Sequence, residues 1–302
     1  MRLLILFFTI SVFLFSCKTI TVDGEQAMAN IPEDIELIKI PAGNYTSGEN
    51  KTEQYIDYDY LMMKFPVTNS QYINYLIDAN SLGLITIDSL GVFGYYDGDN
   101  YWPPGSYQFV DFRAKYSRNG FYEPNNYFTK WRWVGNQKEG YDNHPVTHVT
   151  WFGANAFAKF YGMRLPAADE WEKAARSNSK NRYPWGDRLS PAYANYKDSG
   201  DAYDNDTTPV GYYNGNNNTQ NSYSPYGIYD LAGNVWEWTL SWWRDSSGKI
   251  IKGGSWNSSL TNTNSVVLLL WELQVWYEPA VGYLPNNISY EIGFRCVKDI
   301  ED

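Results

Sequence analysis

The chain has 302 residues, a formal net charge of −10 and an aromatic share of 18%, with 27 Tyr, 13 Trp and 14 Phe. That length can bury one large core or two small ones. The acidic balance, with no run of Lys and Arg, excludes nucleic acid as a partner, because phosphates demand clustered cations.

Met1 and Arg2 place one positive charge ahead of residues 3–16, 14 positions of which 11 are apolar. A bilayer-crossing helix needs about 20 apolar residues, so this run is too short to span. It has the pattern of a secretion signal. The stretch Leu14-Phe-Ser-Cys17 resembles the lipobox of bacterial lipoproteins. The resemblance implies cleavage before Cys17 and a thioether-linked lipid on its thiol. Residues 1–16 are then the signal peptide, and residues 17–34, which lack periodicity, a lipidated tether. More than one acyl chain gives stable anchoring, and the expected location is the cell envelope, at the outer membrane facing periplasm or surface. Cys296 is the only other cysteine, which leaves no partner for an internal disulfide.

A globular domain is expected over 35–302. Residues 36–43 alternate as a strand and stop at a turn. Thr68 opens a first helix, with Gln71 completing a capping box and Tyr72, Tyr75, Leu76 and Ala79 on one face. An aromatic insertion follows at about 91–143, holding Tyr95, Tyr96, Tyr101, Trp102, Tyr107, Phe109, Trp131 and Trp133. A second helix starts after Thr150, presents Ala154, Phe157, Ala158 and Tyr161, and ends at Gly162. A third follows Pro166, with Trp171, Ala174 and Ala175 inward and Glu172 and Arg176 as an exposed i,i+4 pair. Ala167 stands where a hydroxyl cap belongs, a local cost of about 1 kcal/mol. Beyond Tyr183 the chain is rich in Gly, Asn and Asp, densest at residues 212–221, and residues 266–271 have the length of a strand.

Eight segments in one order carry a further resemblance: Ile40-Pro-Ala-Gly43, Phe65-Pro-Val-Thr-Asn69, His144-Pro-Val-Thr-His-Val-Thr-Trp151, Arg164-Leu-Pro166 with Glu170-Trp-Glu172 and Ala174-Ala-Arg176, Tyr183-Pro-Trp-Gly-Asp187, Asp230-Leu-Ala-Gly-Asn-Val-Trp-Glu-Trp238, Gly253-Gly-Ser-Trp256 and Gly293-Phe-Arg295. Together they resemble the formylglycine-generating enzyme (sulfatase-modifying factor) family over about residues 35–298. This implies an α+β fold, an elaborated C-type-lectin-like one that is loop-rich, with short helices and small antiparallel sheets.

By the same resemblance, active members oxidise a cysteine with copper held by two cysteines after Gly-Gly-Ser. Soft copper requires thiolates, and here Ser258 and Thr263 fall at those places, so no copper is expected. Trp236, Ser255, Ser258 and Thr263 would line a relic pocket, with no catalytic residue and no nucleophile–base pair visible near them. From Trp256 to Ile292 there is no arginine; apolar and aromatic residues fill the stretch instead. His144 and His148 read as structural rings rather than metal ligands. The resemblance also implies structural calcium, which takes six to eight oxygens. One site would use Asp230, the carbonyls of Gly233 and Val235, and Glu237. Another would use Asn195, the Tyr196 carbonyl, Asp201 (with Asp204 as a substitute) and the Tyr203 carbonyl.

The combined plan resembles gliding-motility-type lipoproteins. It points to a non-catalytic binding or scaffold component of an envelope assembly, with envelope proteins or glycans as partners and the membrane reached through the lipid. An enzyme of altered chemistry on the same scaffold, in sulfatase maturation or another oxidation, is the alternative. Hypervariable ligand display fits less well, since the stretch before Gly-Phe-Arg is apolar.

Overall fold

A strand within 36–43 and three helices, the first two with side-chain caps, form where their local patterns place them. The computed structural model describes residues 21–22, 25–26, 28–111, 141–203, 205–244, 248–259, 272–279 and 282–300. In chain order the elements are β1 (Thr21–Val22), β2 (Glu25–Gln26), β3 (Leu37–Ile40), β4 (Gly43–Ser47), β5 (Thr52–Ile56) and β6 (Tyr60–Met63). Helix α1 (Asn69–Ser81), β7 (Ile85–Ile87), β8 (Gly91–Tyr96), β9 (Gly105–Asp111), α2 (Trp151–Phe160) and α3 (Ala168–Arg176) follow. The chain closes with β10 (Trp236–Trp242), β11 (Lys249–Lys252), β12 (Ile292–Gly293) and β13 (Val297–Asp299). Cys17, Trp131, Trp133, Asp204, Thr263 and residues 266–271 lie outside the described residues.

Helix α1 starts because Thr68 takes the Gln71 amide on its hydroxyl while the Gln71 side chain accepts from the Thr68 amide, which satisfies two orphan donors. Thr150 caps α2 through the Gly153 amide, and Gly162, at φ 64°, turns the chain out of it. Ala167 gives α3 no side-chain cap, although Glu170 still accepts from the Ala167 amide at 2.7 Å. Ala167→Thr is therefore expected to stabilise the fold by about 1 kcal/mol, read from chemical denaturation midpoints. A loss of stability would show that the Ser241 hydroxyl, which accepts from the Ala168 amide, leaves no room.

Helix α3 corrects one expectation. Glu172 and Arg176 are not a solvated pair; they are 4% and 0% exposed. The β4–β5 hairpin lies over them, and Arg176 donates to the Thr46 and Gly48 carbonyls while Glu172 accepts from the Gly48 amide. On the other side Lys252 of β11 stands 3.7 Å from Glu172. The helix is covered on two faces by segments far away in sequence, which its own periodicity cannot record.

Three small sheets position the rest. β6 lies between β3 and β13, antiparallel to both, with Met62 opposite Ile38 on one side and Val297 on the other. β10 pairs antiparallel with β11 and parallel with β12. The described part of the aromatic insertion supplies β8 and β9, which join β7 in an antiparallel sheet, with Tyr107 stacked on Phe152 of α2 at 4.1 Å. Two larger apolar clusters fill the interior, one around α1, α2 and Phe294, the other around Trp171, Leu231 and Val297, and a third, smaller one gathers Tyr183, Ala194, Tyr196, Ala232 and Leu273. Two buried indoles find acceptors: Trp151 donates to the Thr239 carbonyl and Trp238 to the Val149 carbonyl, which removes the cost of burying an unpaired N–H there. Among the described residues no helix is long and apolar enough to cross a membrane.

Candidate functional site

The segments singled out by their motifs converge where β10, β12 and the turn after β11 meet. Asp230 opens the approach in the left-handed region (φ 59°), followed by Gly233 (φ 81°) and Asn234 (φ 66°). This tight path is held by the Gly233 amide donating to the Gly253 carbonyl and the Asn234 amide to the Asn195 carbonyl, both at 2.8 Å. It delivers Trp236 and Glu237 into β10.

Glu237 is fully buried and faces Arg295 in a fork: Nε donates to Oε2 and Nη2 to Oε1, both at 2.7 Å. The Trp171 indole adds a third donor to Oε2 at 2.8 Å. Arg295 spends its remaining donors on the carbonyls of Met63, Lys64 and Tyr229, so all five guanidinium N–H groups are used. Asp230 accepts from the Gly211 amide at 2.6 Å. Burial pushes its pKa up to about 6, against the pull of that amide and of Arg295.

These contacts decide how far the expected calcium sets fit. Glu237 has its charge met inside the protein and both oxygens engaged, so the set Asp230, Gly233, Val235 and Glu237 does not fit a hard cation that needs free carboxylate oxygens. In the second set Asp201 takes the Ser199 and Tyr213 hydroxyls and the Tyr203 amide. The carbonyls of Tyr196 and Tyr203 accept from Ser199 and Asp206 amides. Asn195 donates to the Asp206 carbonyl, but its Oδ1 is buried with no hydrogen-bond partner. Among the described residues of that set, Asn195 Oδ1 is the side-chain oxygen left without a hydrogen bond. Among the described residues no group of three His, Cys, Asp or Glu side chains is placed to hold a metal.

The relic pocket is packed with hydroxyls in place of thiols. Ser255 and Ser258 are 0% and 2% exposed, and the Ser258 hydroxyl accepts from the Ser255 amide at 2.9 Å. Leu273 is buried beside the Gly253-Gly254 turn, where a Cβ on Gly254 would meet it at 2.7 Å. Trp236 lies against Tyr277 at 6.2 Å. The residues present do not fit a copper ion, since neutral hydroxyls are no substitute for thiolates. Cys296 is buried next to Arg295, and burial raises its pKa well above the usual thiol value.

Glu291 was not anticipated. Its carboxylate accepts from the Ser255 hydroxyl at 2.6 Å and from the Asn257 amide at 3.0 Å, and its carbonyl accepts from the Trp236 amide. A hydroxyl–carboxylate contact therefore does exist at this position, contrary to the expectation that none would be found. With Ser255 enclosed and Glu291 shared with Asn257, the contact ties the turn to β12. The only sequence signal for it was its place two residues before Gly293.

The two histidines do not converge on a common centre. The His144 ring lies on Tyr141 at 4.1 Å, with Nδ1 at 2.9 Å from the Thr207 hydroxyl. His148 sits at φ 61°, with Nδ1 3.0 Å from the Thr147 hydroxyl.

Residues 25–300 match the model of the sulfatase-modifying factor enzyme 1-like domain. The chain is 39% identical over 191 residues to the formylglycine-generating enzyme of Thermomonospora curvata, covering 52% of this chain and 56% of that protein. It is 34% identical over 158 residues to the inactive C-alpha-formylglycine-generating enzyme 2 of Bos taurus, covering 50% of this chain and 49% of that protein. The chain thus matches about half the length of these curated relatives. Among solved structures, PvdO from Pseudomonas aeruginosa aligns with a TM-score of 0.56 at 16% identity, over 90% of this chain and 100% of that one. The ordered motifs, the convergence of β10, β12 and the Gly-Gly-Ser turn, and a family match over nearly the whole length lead to one conclusion: the chain belongs to the sulfatase-modifying factor enzyme 1-like family.

Proposed function

We propose that this chain is a lipid-anchored cell-envelope protein that uses a sulfatase-modifying-factor-type domain for recognition or scaffolding within an envelope assembly, not for copper oxidation. The observation that carries this reading is the enclosed Ser255–Ser258 turn, where two hydroxyls are bound into hydrogen bonds in a chain with no cysteine between Cys17 and Cys296. A relative whose name calls it inactive shares the same domain. The anchor rests on the lipobox-like stretch ending at Cys17, and the partners are envelope proteins or glycans. Structural calcium belongs, in this reading, at the Asn195 turn alone, where the unpartnered Oδ1 offers a ligand and the metal would hold loops together.

Copper titration with oxygen uptake and a cysteine-containing peptide tests the reading. The expected outcome is no copper-dependent oxygen uptake above buffer and no aldehyde in the peptide; turnover to an aldehyde would overturn it. Crosslinking in intact cells followed by recovery of the chain is expected to yield specific envelope partners, and recovery of the chain alone counts against a scaffold role.

A further inference from the structure

Away from the relic pocket, three rings form a ladder. Trp185 lies parallel to Tyr183, with centroids 5.3 Å apart and planes 9° apart, and to Tyr193, at 5.2 Å and 7°. Tyr183 is buried in the third apolar cluster with Ala194, Tyr196 and Leu273, and the Trp185 indole is pinned to the Arg188 carbonyl at 3.0 Å. Tyr193 is half-buried. Its one ring contact among the described residues is with Trp185, and its hydroxyl makes no hydrogen bond to them. Tyr193 thus ends the ladder: no second aromatic ring lies against it among the described residues, and part of it reaches the surface.

An amide-rich turn stands next to it. The Gln220 amide donates to the Ala192 carbonyl at 2.7 Å, which joins residues 214–221 to the neighbour of Tyr193. Thr219 closes the turn on the Asn216 carbonyl through both its amide and its hydroxyl, and Asn217 and Asn218 sit in the left-handed region at φ 55° and 59°. The side chains of Asn216, Asn217, Asn218 and Gln220 are exposed and make no hydrogen bond among the described residues. The turn is ordered by its backbone, and its amides are left unspent.

We propose that Tyr193 and the Asn216–Asn218 turn form a binding site for a neutral polysaccharide, a deeper statement of the recognition reading above and resting on it. An aromatic face is electron-rich and apolar, which suits the C–H face of a pyranose ring. Each carboxamide offers two donors and an acceptor, the complement of vicinal hydroxyls. Both parts are held before binding, so little ordering cost opposes association. Residues 214–221 contain no Lys or Arg, which disfavours an anionic polymer. A protein partner would anchor a side chain in a desolvated pocket, and this surface offers a flat ring and amides instead.

Isothermal titration of the full-length protein in detergent with neutral gluco-, manno- and chito-oligosaccharides tests the site. Saturable heat is expected with at least one of them, weakened about tenfold or more, or about 1.4 kcal/mol, by Tyr193→Ala. Asn218→Gly, which keeps the left-handed backbone and removes only the amide, is expected to weaken binding at an unchanged unfolding midpoint. No saturable heat with any neutral sugar, binding of acidic polysaccharides alone, or both variants binding like the wild type would each overturn the proposal. Protein partners recovered by crosslinking without sugar binding would sink the sugar site and leave the recognition reading intact. Oxidation of a cysteine peptide would sink that reading and leave the titration to stand on its own.

Discussion

Arg295→Leu is expected to cost about 3–5 kcal/mol of folding stability, measured as a shift in the urea unfolding curve. Glu237 is fully buried, and among the described residues its charge is balanced by this guanidinium alone, with the Trp171 indole as a further donor. Removing the cation leaves an uncompensated carboxylate in the core. It also removes the guanidinium donors to the carbonyls of Met63, Lys64 and Tyr229, of which the Lys64 carbonyl keeps the Tyr229 amide. The double variant Glu237→Leu/Arg295→Leu recovers much of the loss, because a buried ion pair replaced by apolar groups of similar size is often near neutral. A single-variant cost below about 1 kcal/mol, the size of an exposed pair, would show that water reaches Glu237.

Gly233→Ala is expected to destabilise by about 3 kcal/mol, from two independent causes. The residue sits at φ 81°, where a side chain costs about 1–2 kcal/mol. A Cβ there would also lie 2.3 Å from the Asn195 carbonyl oxygen, a backbone atom that cannot swing aside, and overpacking of this kind costs about 1–3 kcal/mol. Gly227 separates the causes. It has a similar φ of 85° but open space at the Cβ position, so Gly227→Ala carries only the conformational part. Equal effects in the two variants would contradict the clash.

What could be read before folding and what could not divides along sequence distance. Thr68 with Gln71, Thr150 before an apolar stripe, and Gly162 after it are local statements, and the helices obey them. The ordered motifs brought Asp230, Glu237, Ser255 and Gly293 under suspicion together. They could not say that Glu237 would be spent on Arg295, 58 residues away, or that Ser255 would meet Glu291, 36 residues away. Glu172 and Arg176 were misread for the same reason. An i,i+4 pair looks identical on a solvated helix and on one roofed by a hairpin, and the roof here comes from residues about 128 positions earlier. The ladder of Tyr183, Trp185 and Tyr193 stood in plain view as composition, but ring planes are a property of packing.

The reach of Arg295 sets the timetable of folding. Its contact with the Met63 carbonyl spans 232 residues, and β6 gains its second neighbour only when β13 arrives. Until residue 295 is in place, the central acid has no counter-charge and β6 has one neighbour instead of two, so the core around Glu237 cannot close. Contacts of such separation form late and slowly. The step that closes the core is therefore a meeting of sequence-distant segments, and that meeting, rather than the capping of the helices, paces the fold.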